Sequence, residues 1–314
     1  MAARRKSRRK PALSRPQQIA ALVCAALLVC AAAVIAVSQY GEELRAVFDP
    51  PAFASTTATG GELQVHVIDV GNTDSILVTK DGQSLLIDAG ENKSADTVIA
   101  YLRSQKVDRL DYVIATHADA DHIGGMDDVV STFPITTFIM ATMPEDATPT
   151  TKTYLKLLQA LDAQGLAITE AGPGNTYPLG SALLTILGPA GIFTDTNEMS
   201  VVCRVDFGAT GFLFMGDAEK EAETALLASG QNLRADFLKA GHHGSSSSSS
   251  EALIAAVRPR YAALTCGAGN SYGHPHAETL ETLEKYNVTY YRSDLNGTIR
   301  AVSDGSAVTV TTEK

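Results

Sequence analysis

The sequence predicts an α/β fold in which two sheets are covered by helices. Strand-like segments are concentrated at both ends of the region after residue 60, and strand-like and helix-like segments alternate between them. No change of composition divides that region, so we expect one domain over residues 62–314. A chain of 314 residues with 45% hydrophobic side chains is long enough to bury a large core.

The first half of this domain combines strands, a hairpin turn and one helix. Apolar runs bounded by turn residues predict the strands, and Asp81-Gly82 predicts a tight hairpin between the second and third of them. Apolar residues at helical spacing, preceded by Ser94 as a cap, predict the helix. The predicted elements are strands Glu62–Val70, Ser75–Thr79, Ser84–Asp88 and Leu110–Ala115 and helix Ser94–Gln105.

In the second half, apolar runs bounded by turn residues again predict strands, and apolar residues at helical spacing again predict helices, in alternation. Gly165 and Gly230 end two of the helices, and Gly208-Ala209-Thr210 joins two strands in a second hairpin. The predicted strands are Thr136–Met140, Leu183–Leu187, Val201–Phe207, Gly211–Met215, Phe237–Ala240 and Tyr261–Thr265, and the helices are Thr151–Gln164, Ala218–Ser229, Glu251–Val257 and Ala277–Tyr286. Further strands complete the chain.

The N-terminus differs from the rest of the chain. Residues 1–18 carry seven basic side chains and no acidic one, and residues 19–37 contain no charged residue, Pro or Gly. As a helix this uncharged run would be about 28 Å long, close to the hydrocarbon thickness of a bilayer. We therefore expect a basic cytoplasmic N-terminus (1–18), a transmembrane anchor in the lipid bilayer (19–38), a linker (39–61) and an extracytoplasmic domain (62–314). The alternative is a signal peptide cleaved near Ala36-Val37-Ser38, which would give a secreted protein.

Charge and cysteine content restrict the function classes. Without the basic leader, the chain has 18 basic and 35 acidic side chains, a net charge near −17. Such a surface repels polyanions, so nucleic acid would need a local basic patch or metal ions in order to bind. Cys203 and Cys266 are the cysteines outside the apolar segment, and their spacing predicts two small buried thiols more readily than a disulfide.

One loop carries a dense set of metal-binding side chains. His117, Asp119, Asp121 and His122 fall within six positions directly after the predicted strand Leu110–Ala115. In an extended loop His117, Asp119 and Asp121 would converge, and His122 would turn to the other side, which suits two metal sites sharing one loop. The alternative is a solvated polar loop, which needs no such density of ligands.

Three later strand ends carry further candidates. Asp217 follows Gly216, and its carboxylate could bridge two metals or simply cap the next helix. His242 and His243 are adjacent between two glycines, and Asn270–His276 contributes His274 and His276. Six of the seven histidines lie in the loop after Leu110–Ala115, in the His242-His243 loop and in Asn270–His276, and His66 is the exception. This clustering favours a metal site over scattered structural histidines.

These motifs give the chain a specific resemblance. In its order of motifs it resembles the metallo-β-lactamase superfamily, and within it the hydrolase domain of ComEC-type DNA-uptake proteins, over about residues 62–312. The motifs are Asp69–Ser75, Leu86–Gly90, Thr116–Gly125, Phe214–Asp217, Leu238–Ser245 and Asn270–Pro275.

The resemblance implies a four-layer αββα sandwich with a dinuclear site at one edge of the sheets. His117 and Asp119 would serve one metal, and Asp121 and His122 the other. Asp217 would bridge, and His242 or His243 would complete the second site.

Two departures from the family pattern concern the first metal. Asp119 stands where the family has a second histidine, and residues 123–216 contain no histidine; Asn197–Ser200 occupies that place. Oxygen-rich coordination shifts the preference from Zn²⁺ toward Mn²⁺ or Mg²⁺, so we expect two divalent ions, Zn²⁺ or Mn²⁺, with Mg²⁺ an option at the first site. His274 could be a ligand or contact a substrate phosphate, and we favour the second role.

The sequence therefore predicts a membrane-anchored, extracytoplasmic, metal-dependent hydrolase. We expect it to cleave phosphodiesters, with DNA as a candidate substrate, through a water activated by two metals, with Asp121 accepting a proton. The alternatives are a phosphorylcholine-esterase-like or other small-ester hydrolase, and a surface binding module with a degraded site. No protein partner follows from the sequence.

Overall fold

The computed structural model describes residues 61–314. The predicted basic N-terminus, membrane anchor and nearly all of the linker lie outside the described residues. Within residues 61–314, no helix is both long and apolar enough to cross a membrane.

Residues 61–314 form fifteen strands and eight α-helices. The strands are β1 (Leu63–Val67), β2 (Ile76–Lys80), β3 (Gln83–Ile87), β4 (Leu110–Ala115), β5 (Ile135–Met140), β6 (Ile168–Glu170), β7 (Thr176–Leu179), β8 (Ala182–Ile186), β9 (Cys203–Phe207), β10 (Thr210–Phe214), β11 (Phe237–Lys239), β12 (Tyr261–Leu264), β13 (Thr289–Arg292), β14 (Ile299–Ser303) and β15 (Val308–Thr312). The helices are α1 (Ala95–Ser104), α2 (Ala120–Ile123), α3 (Met126–Thr132), α4 (Lys152–Gln164), α5 (Lys220–Ala228), α6 (Glu251–Val257), α7 (Ala277–Lys285) and α8 (Ser293–Asn296).

The strands make two mixed sheets. The first has the order β15-β14-β1-β2-β3-β4-β5-β6 and the second the order β13-β12-β11-β10-β9-β8-β7. Strands β3 to β6 are parallel in the first sheet, and β10 to β13 are parallel in the second. Because parallel strands end at the same edge of a sheet, the loops that follow these strands are brought together.

Alternating side chains along the strands divide the apolar residues into three cores. Leu63, Val65 and Val67 point into a core between the sheets, where they join Phe212 and Phe214 of the second sheet. A second core lies between the first sheet and helices α1, α3 and α4, and a third between the second sheet and helices α5, α6 and α7. The result is the four-layer αββα sandwich that the sequence predicts.

Several local signals act as the sequence predicts. Asp81 and Gly82 both adopt positive φ in the β2–β3 hairpin, and Gly165 ends α4 in the left-handed conformation. Thr151 caps the start of α4 by accepting the backbone N–H of Tyr154. Cys203 and Cys266 are buried free thiols, as expected.

Candidate metal centre

The predicted ligands meet at one edge of the sandwich, between the two sheets. The loop after β4 comes from the first sheet, and the loops after β10 and β11 come from the second. Because the two sheets face each other, side chains leaving these strand ends point toward a common space.

The loop after β4 is not extended throughout. Asp119 has extended backbone, but Ala120–Ile123 forms the helical turn α2. The expectation that His122 turns to the other side from His117, Asp119 and Asp121 is therefore wrong, because the helical turn brings its ring 4.1 Å from the ring of His117, centroid to centroid, and into one cluster with Asp121. Gly124 permits this turn to pack closely, since a Cβ there would lie 2.3 Å from the carbonyl oxygen of Ala120.

Four residues bring potential ligand atoms within 4.8 Å of one another: Asp121, His122, Asp217 and His243. His122 Nε2 lies 3.2 Å from Asp217 Oδ1. His243 Nε2 lies 3.4 Å from Asp217 Oδ2 and 3.5 Å from Asp121 Oδ2. Two imidazoles and two carboxylates form a donor set that zinc and manganese both accept.

His117 and Asp119 lie beside this cluster. His117 is buried, and its Nε2 is 3.9 Å from Asp119 Oδ2, whose side chain is 45% exposed. The ring of His117 packs against that of His122, so the two candidate positions share one wall. Burial, together with the charge on His122, lowers the pKa of His117 to about 3, which keeps its ring neutral as a metal ligand requires.

The residues present fit a divalent metal. Four buried atoms of this group lack a hydrogen-bond partner: Nε2 of His117, His122 and His243, and Oδ1 of Asp217. Buried polar atoms are rarely left without a partner in proteins, because each costs about 1–3 kcal/mol. A cation in the four-residue cluster would satisfy the atoms of His122, Asp217 and His243, and a second cation beside it would satisfy Nε2 of His117.

Electrostatics favour a cation at the same place. Burial lowers the pKa of His122 and of His243, but the carboxylate charges outweigh it, and both pKa values lie well above that of free imidazole. Burial raises the pKa of Asp217, but the charges of the same two histidines outweigh it and hold that pKa well below its usual range. The cluster therefore attracts positive charge, which a divalent ion can supply in place of protons.

A buried carboxylate orients His122. The imidazole Nδ1–H donates to Asp88 Oδ2 at 2.8 Å, and Thr116 donates to Asp88 through its backbone N–H at 2.8 Å and its hydroxyl at 2.6 Å. Because Nδ1 keeps its proton on Asp88, Nε2 is the nitrogen that can give up its proton and offer a lone pair to a metal.

His243 has a comparable but more elaborate support. Its Nδ1 donates to Thr265 Oγ1 at 3.1 Å and lies 3.3 Å from Asp74 Oδ1, and the hydroxyl of Thr265 donates in turn to Asp74. Lys239 is fully buried, and its ammonium lies 2.7 Å from Asp74 Oδ2 and 2.9 Å from the carbonyl oxygen of Ala240. Burial raises the pKa of Asp74, but the charges of Lys239 and His243 outweigh it, so this carboxyl stays ionised.

Asp74, Asp88 and His122 also come close enough to resemble a metal site. Their facing atoms are already engaged, however, by Lys239, Thr116 and one another. We therefore assign this group to support of the ligands. The sequence alone predicts no role for Asp74, Asp88 and Lys239, although all three lie in the motifs that carry the family resemblance.

His242 and His243 occupy different positions although they are adjacent. His242 lies outside the four-residue cluster, is 24% exposed, donates from Nδ1 to Glu219 Oε1 at 2.6 Å and has Nε2 3.7 Å from Asp217 Oδ2. His274 stands next to it with ring centroids 5.3 Å apart. Nδ1 of His274 is buried without a hydrogen-bond partner, and burial lowers its pKa to about 4. The geometry thus favours His243 for the cluster and puts His274 at its rim.

Asp217 does not cap the following helix. The N-cap of α5 is Glu219, and Asp217 instead donates its backbone N–H to Ser200 Oγ at 3.1 Å. Gly216 makes this possible, because it has φ +54° and a Cβ there would lie 3.0 Å from Cβ of Thr116.

The segment that replaces the family's missing histidine has structural contacts of its own. Glu198 is buried and accepts the backbone N–H groups of Glu219, Glu221 and Ala222 at the start of α5. Ser200 Oγ lies 3.4 Å from Nδ1 of His117. Asn197–Ser200 therefore braces His117 and Asp217 and supplies no nitrogen ligand to the centre.

Comparison with known proteins agrees with this geometry. The family model of the metallo-β-lactamase superfamily matches residues 68–267, which include Asp74, Asp88, the loop after β4, Asp217 and His243. The chain belongs to the metallo-β-lactamase superfamily. Membership of this superfamily accounts for the αββα sandwich and for a metal centre at its edge.

Its relatives include Competence protein ComA of Neisseria gonorrhoeae, which is 29% identical over 280 residues, covering 88% of this chain and 37% of that protein. ComE operon protein 3 of Bacillus subtilis is 31% identical over 262 residues, covering 76% of this chain and 33% of that protein. Recombination protein 2 of Haemophilus influenzae is 28% identical over 243 residues, covering 76% of this chain and 28% of that protein. The chain thus spans about a third of the length of the curated relatives it matches.

Among solved structures, the fold is similar to that of CmlA, a diiron β-hydroxylase from Streptomyces venezuelae. The TM-score is 0.52 at 14% identity, over 78% of this chain and 54% of CmlA. At this identity the likeness establishes the fold alone.

Proposed function

We propose that this metallo-β-lactamase-fold protein is a metal-dependent phosphodiesterase that acts on DNA or a related phosphate ester. The observation that carries the proposal is the set of buried ligand atoms without partners at Asp217, His122, His243 and His117. The relatives support the substrate class, since Competence protein ComA and Recombination protein 2 are named for competence and recombination.

We assign Asp121, His122, Asp217 and His243 to one divalent ion, and His117 and Asp119, with Asp217 shared, to a second. Zn²⁺ and Mn²⁺ are the candidates, and Mg²⁺ is an option where oxygen ligands dominate. Bound divalent ions lower the pKa of water and stabilise negative charge on an attacked phosphate.

The chain's own residues supply the remaining chemistry. Burial raises the pKa of Asp121, but its hydrogen bond with His243 and the charge of His122 outweigh burial and lower this pKa. Asp121 is therefore ionised at neutral pH, and its half-exposed carboxylate can accept a proton. We assign to His274, whose Nδ1 has no hydrogen-bond partner, a contact with a substrate phosphate oxygen.

We further propose that residues 19–38 anchor the protein in the lipid bilayer with the domain outside the cytoplasm. A phosphodiesterase in that place would meet DNA or small phosphate esters outside the cell. The net negative charge of the chain after its leader makes metal ions important for holding such a substrate.

A substrate panel tests the activity directly. Purified full-length protein loaded separately with Zn²⁺ and Mn²⁺ is assayed on single-stranded DNA, bis(p-nitrophenyl) phosphate and phosphorylcholine esters. We expect the two phosphodiesters to be cleaved, and Asp121→Ala to reduce the rate by about a hundredfold or more. Asp128→Ala, which removes an exposed carboxylate on α3, is the matched control and should keep full activity.

The outcomes separate the three functions considered. Cleavage of phosphorylcholine esters alone would support the small-ester hydrolase instead. Metal binding without hydrolysis of any substrate would identify a binding module and end the enzyme proposal.

A further inference from the structure

An exposed aromatic residue stands beside the metal centre on the loop between β12 and α7. The side chain of Tyr272 is 68% exposed, which is unusual for a ring of this size. Its ring lies parallel to that of His274, with centroids 5.6 Å apart and planes inclined by 20°. One face of Tyr272 therefore covers His274, and the other face is open to solvent.

The stack leads from solvent to the metal ligands. His274 is only 7% exposed, and its ring centroid lies 5.3 Å from that of His242 and 6.1 Å from that of His243. Tyr272 is thus two ring-to-ring steps from the cluster. Proteins that bind single strands stack bases on aromatic side chains beside the groove that holds the backbone, so a phosphate at the metals would leave a neighbouring base within reach of this ring.

The loop holds Tyr272 in a fixed place. The side chain of Asn270 donates to the carbonyl oxygens of Gly267 at 2.9 Å and His274 at 2.7 Å, and accepts the backbone N–H of His274 at 3.0 Å. Nδ1 of His276 accepts the backbone N–H of Ser246 at 2.9 Å.

Because Nδ1 of His276 accepts the N–H of Ser246, its proton lies on Nε2, which donates to the carbonyl oxygen of Tyr272 at 3.1 Å. Presenting the ring to a ligand therefore needs little additional ordering of the chain.

We propose that Tyr272 is a stacking platform for a nucleobase of the substrate, next to the phosphodiester that is cleaved. This inference presupposes the proposed phosphodiesterase and narrows its substrates to those that carry an aromatic base. Stacking suits this domain because it does not depend on charge, and residues 61–314 carry 17 basic against 32 acidic side chains.

The test compares three Tyr272 variants with one control, all as metal-loaded full-length proteins. Tyr272→Phe keeps an aromatic face, and Tyr272→Leu covers His274 without one. Tyr286→Leu changes a partly exposed tyrosine at the end of α7 and serves as the matched control. Tyr272→Ala removes the cover from His274 as well. Each protein is assayed on a single-stranded oligonucleotide and on the same oligonucleotide with abasic residues.

We expect Tyr272→Leu to raise KM for the ordinary oligonucleotide by about fivefold to 150-fold, with kcat little changed. KM for the abasic oligonucleotide should stay the same, and Tyr272→Phe and Tyr286→Leu should behave as the unmodified protein. Equal effects of Tyr272→Leu on both substrates would mean that Tyr272 only supports His274, and would overturn the platform.

A binding measurement gives a readout independent of turnover. An oligonucleotide with phosphorothioate linkages, which resist hydrolysis, carries 2-aminopurine, whose fluorescence falls when it stacks on an aromatic ring. We expect quenching with the unmodified protein and with Tyr272→Phe, and none with Tyr272→Leu. Quenching that survives Tyr272→Leu would overturn the platform, whereas absence of hydrolysis of every phosphodiester by the unmodified protein would instead overturn the proposed function.

Discussion

Three histidines at the centre share one arrangement. In each, Nδ1 faces a carboxylate: Asp88 at 2.8 Å for His122, Asp74 at 3.3 Å for His243 and Glu219 at 2.6 Å for His242. In each, Nε2 faces Asp217, at 3.2, 3.4 and 3.7 Å in the same order. A carboxylate behind an imidazole fixes its tautomer and raises its basicity as a ligand. These three carboxylates therefore determine which nitrogen each histidine can offer to a metal.

Asp74 gives the most direct test of this arrangement. Asp74→Asn keeps the size of the side chain but removes the charge that Lys239 and His243 share, so we expect metal affinity to fall about 10- to 100-fold. Isothermal titration with Zn²⁺ and metal content after dialysis measure this loss. Asp128→Asn on the exposed face of α3 should leave the affinity unchanged.

Lys239 provides the second half of that test. Lys239→Met leaves buried Asp74 with His243 but without its lysine partner, whereas the double variant Asp74→Asn with Lys239→Met removes both charges of the lysine–aspartate pair. We expect the double variant to be more stable to denaturant than Lys239→Met alone, since a lone buried charge costs more than a missing pair. A double variant less stable than both single variants would contradict charge pairing as the role of Lys239.

The sequence predicts which side chains gather at the centre, but not which carboxylate supports which histidine. Asp74 and Lys239 are 165 positions apart, and no local pattern connects a carboxylate before β2 with a lysine at the end of β11. His242 and His243 are indistinguishable by spacing, and both have positive φ, at 43° and 53°, where the chain reverses. This tight reversal is what turns one ring toward Asp74 and the other toward Glu219.

Elements with strong periodicity were predictable, and short or exposed ones were not. Helix α4 and strands β1 to β5 lie where their apolar patterns predict. Strand β6 has three residues, none of them buried, and β7 is an edge strand containing Pro178, so neither shows the alternation that identifies a strand. Helix α3 has no clear sequence signal, because its seven residues directly follow two glycines.

Helix α5 shows how one short segment supports both an element and the site. Glu198 accepts three backbone N–H groups at the start of α5, and Ser200, two residues on, contacts Asp217 and lies near His117. We expect Glu198→Ala to lower the free energy of unfolding by about 1–2 kcal/mol, as measured in urea, because α5 loses its cap.

The pH dependence of stability gives a second test of Glu198. Burial raises the pKa of the Glu198 carboxyl above its usual value, so the folded protein binds a proton there more tightly than the unfolded chain does. The stability gained from this proton is present at low pH and is lost as pH rises through the pKa of Glu198 in the folded protein. Glu198→Gln cannot ionise and should lack this component. An identical pH profile of stability in Glu198→Gln and the unmodified protein would contradict it.

The metal centre lies where the two halves of the sandwich meet. His117, Asp121 and His122 leave the first sheet after β4, and Asp217 and His243 leave the second after β10 and β11. A metal bound by both groups would connect the two sheets at their open edge. The fold thus predicts that metal stabilises the whole domain as well as the loops that hold it.

Chelation measures this coupling. At a metal concentration about a hundredfold above Kd, binding adds about 2.7 kcal/mol, and each kcal/mol shifts Tm of a domain this size by about 2–4 °C, so removal by EDTA should lower Tm by about 5–10 °C. Asp217→Asn, which weakens contacts from both sheets, should lose most of this shift, and Asp128→Asn should keep it. Hydrogen exchange should rise together in Thr116–Gly125 and Gly241–Gly244 when metal is removed, because one ion holds both loops. Faster exchange in only one of the two loops would mean that the metal is bound by a single sheet.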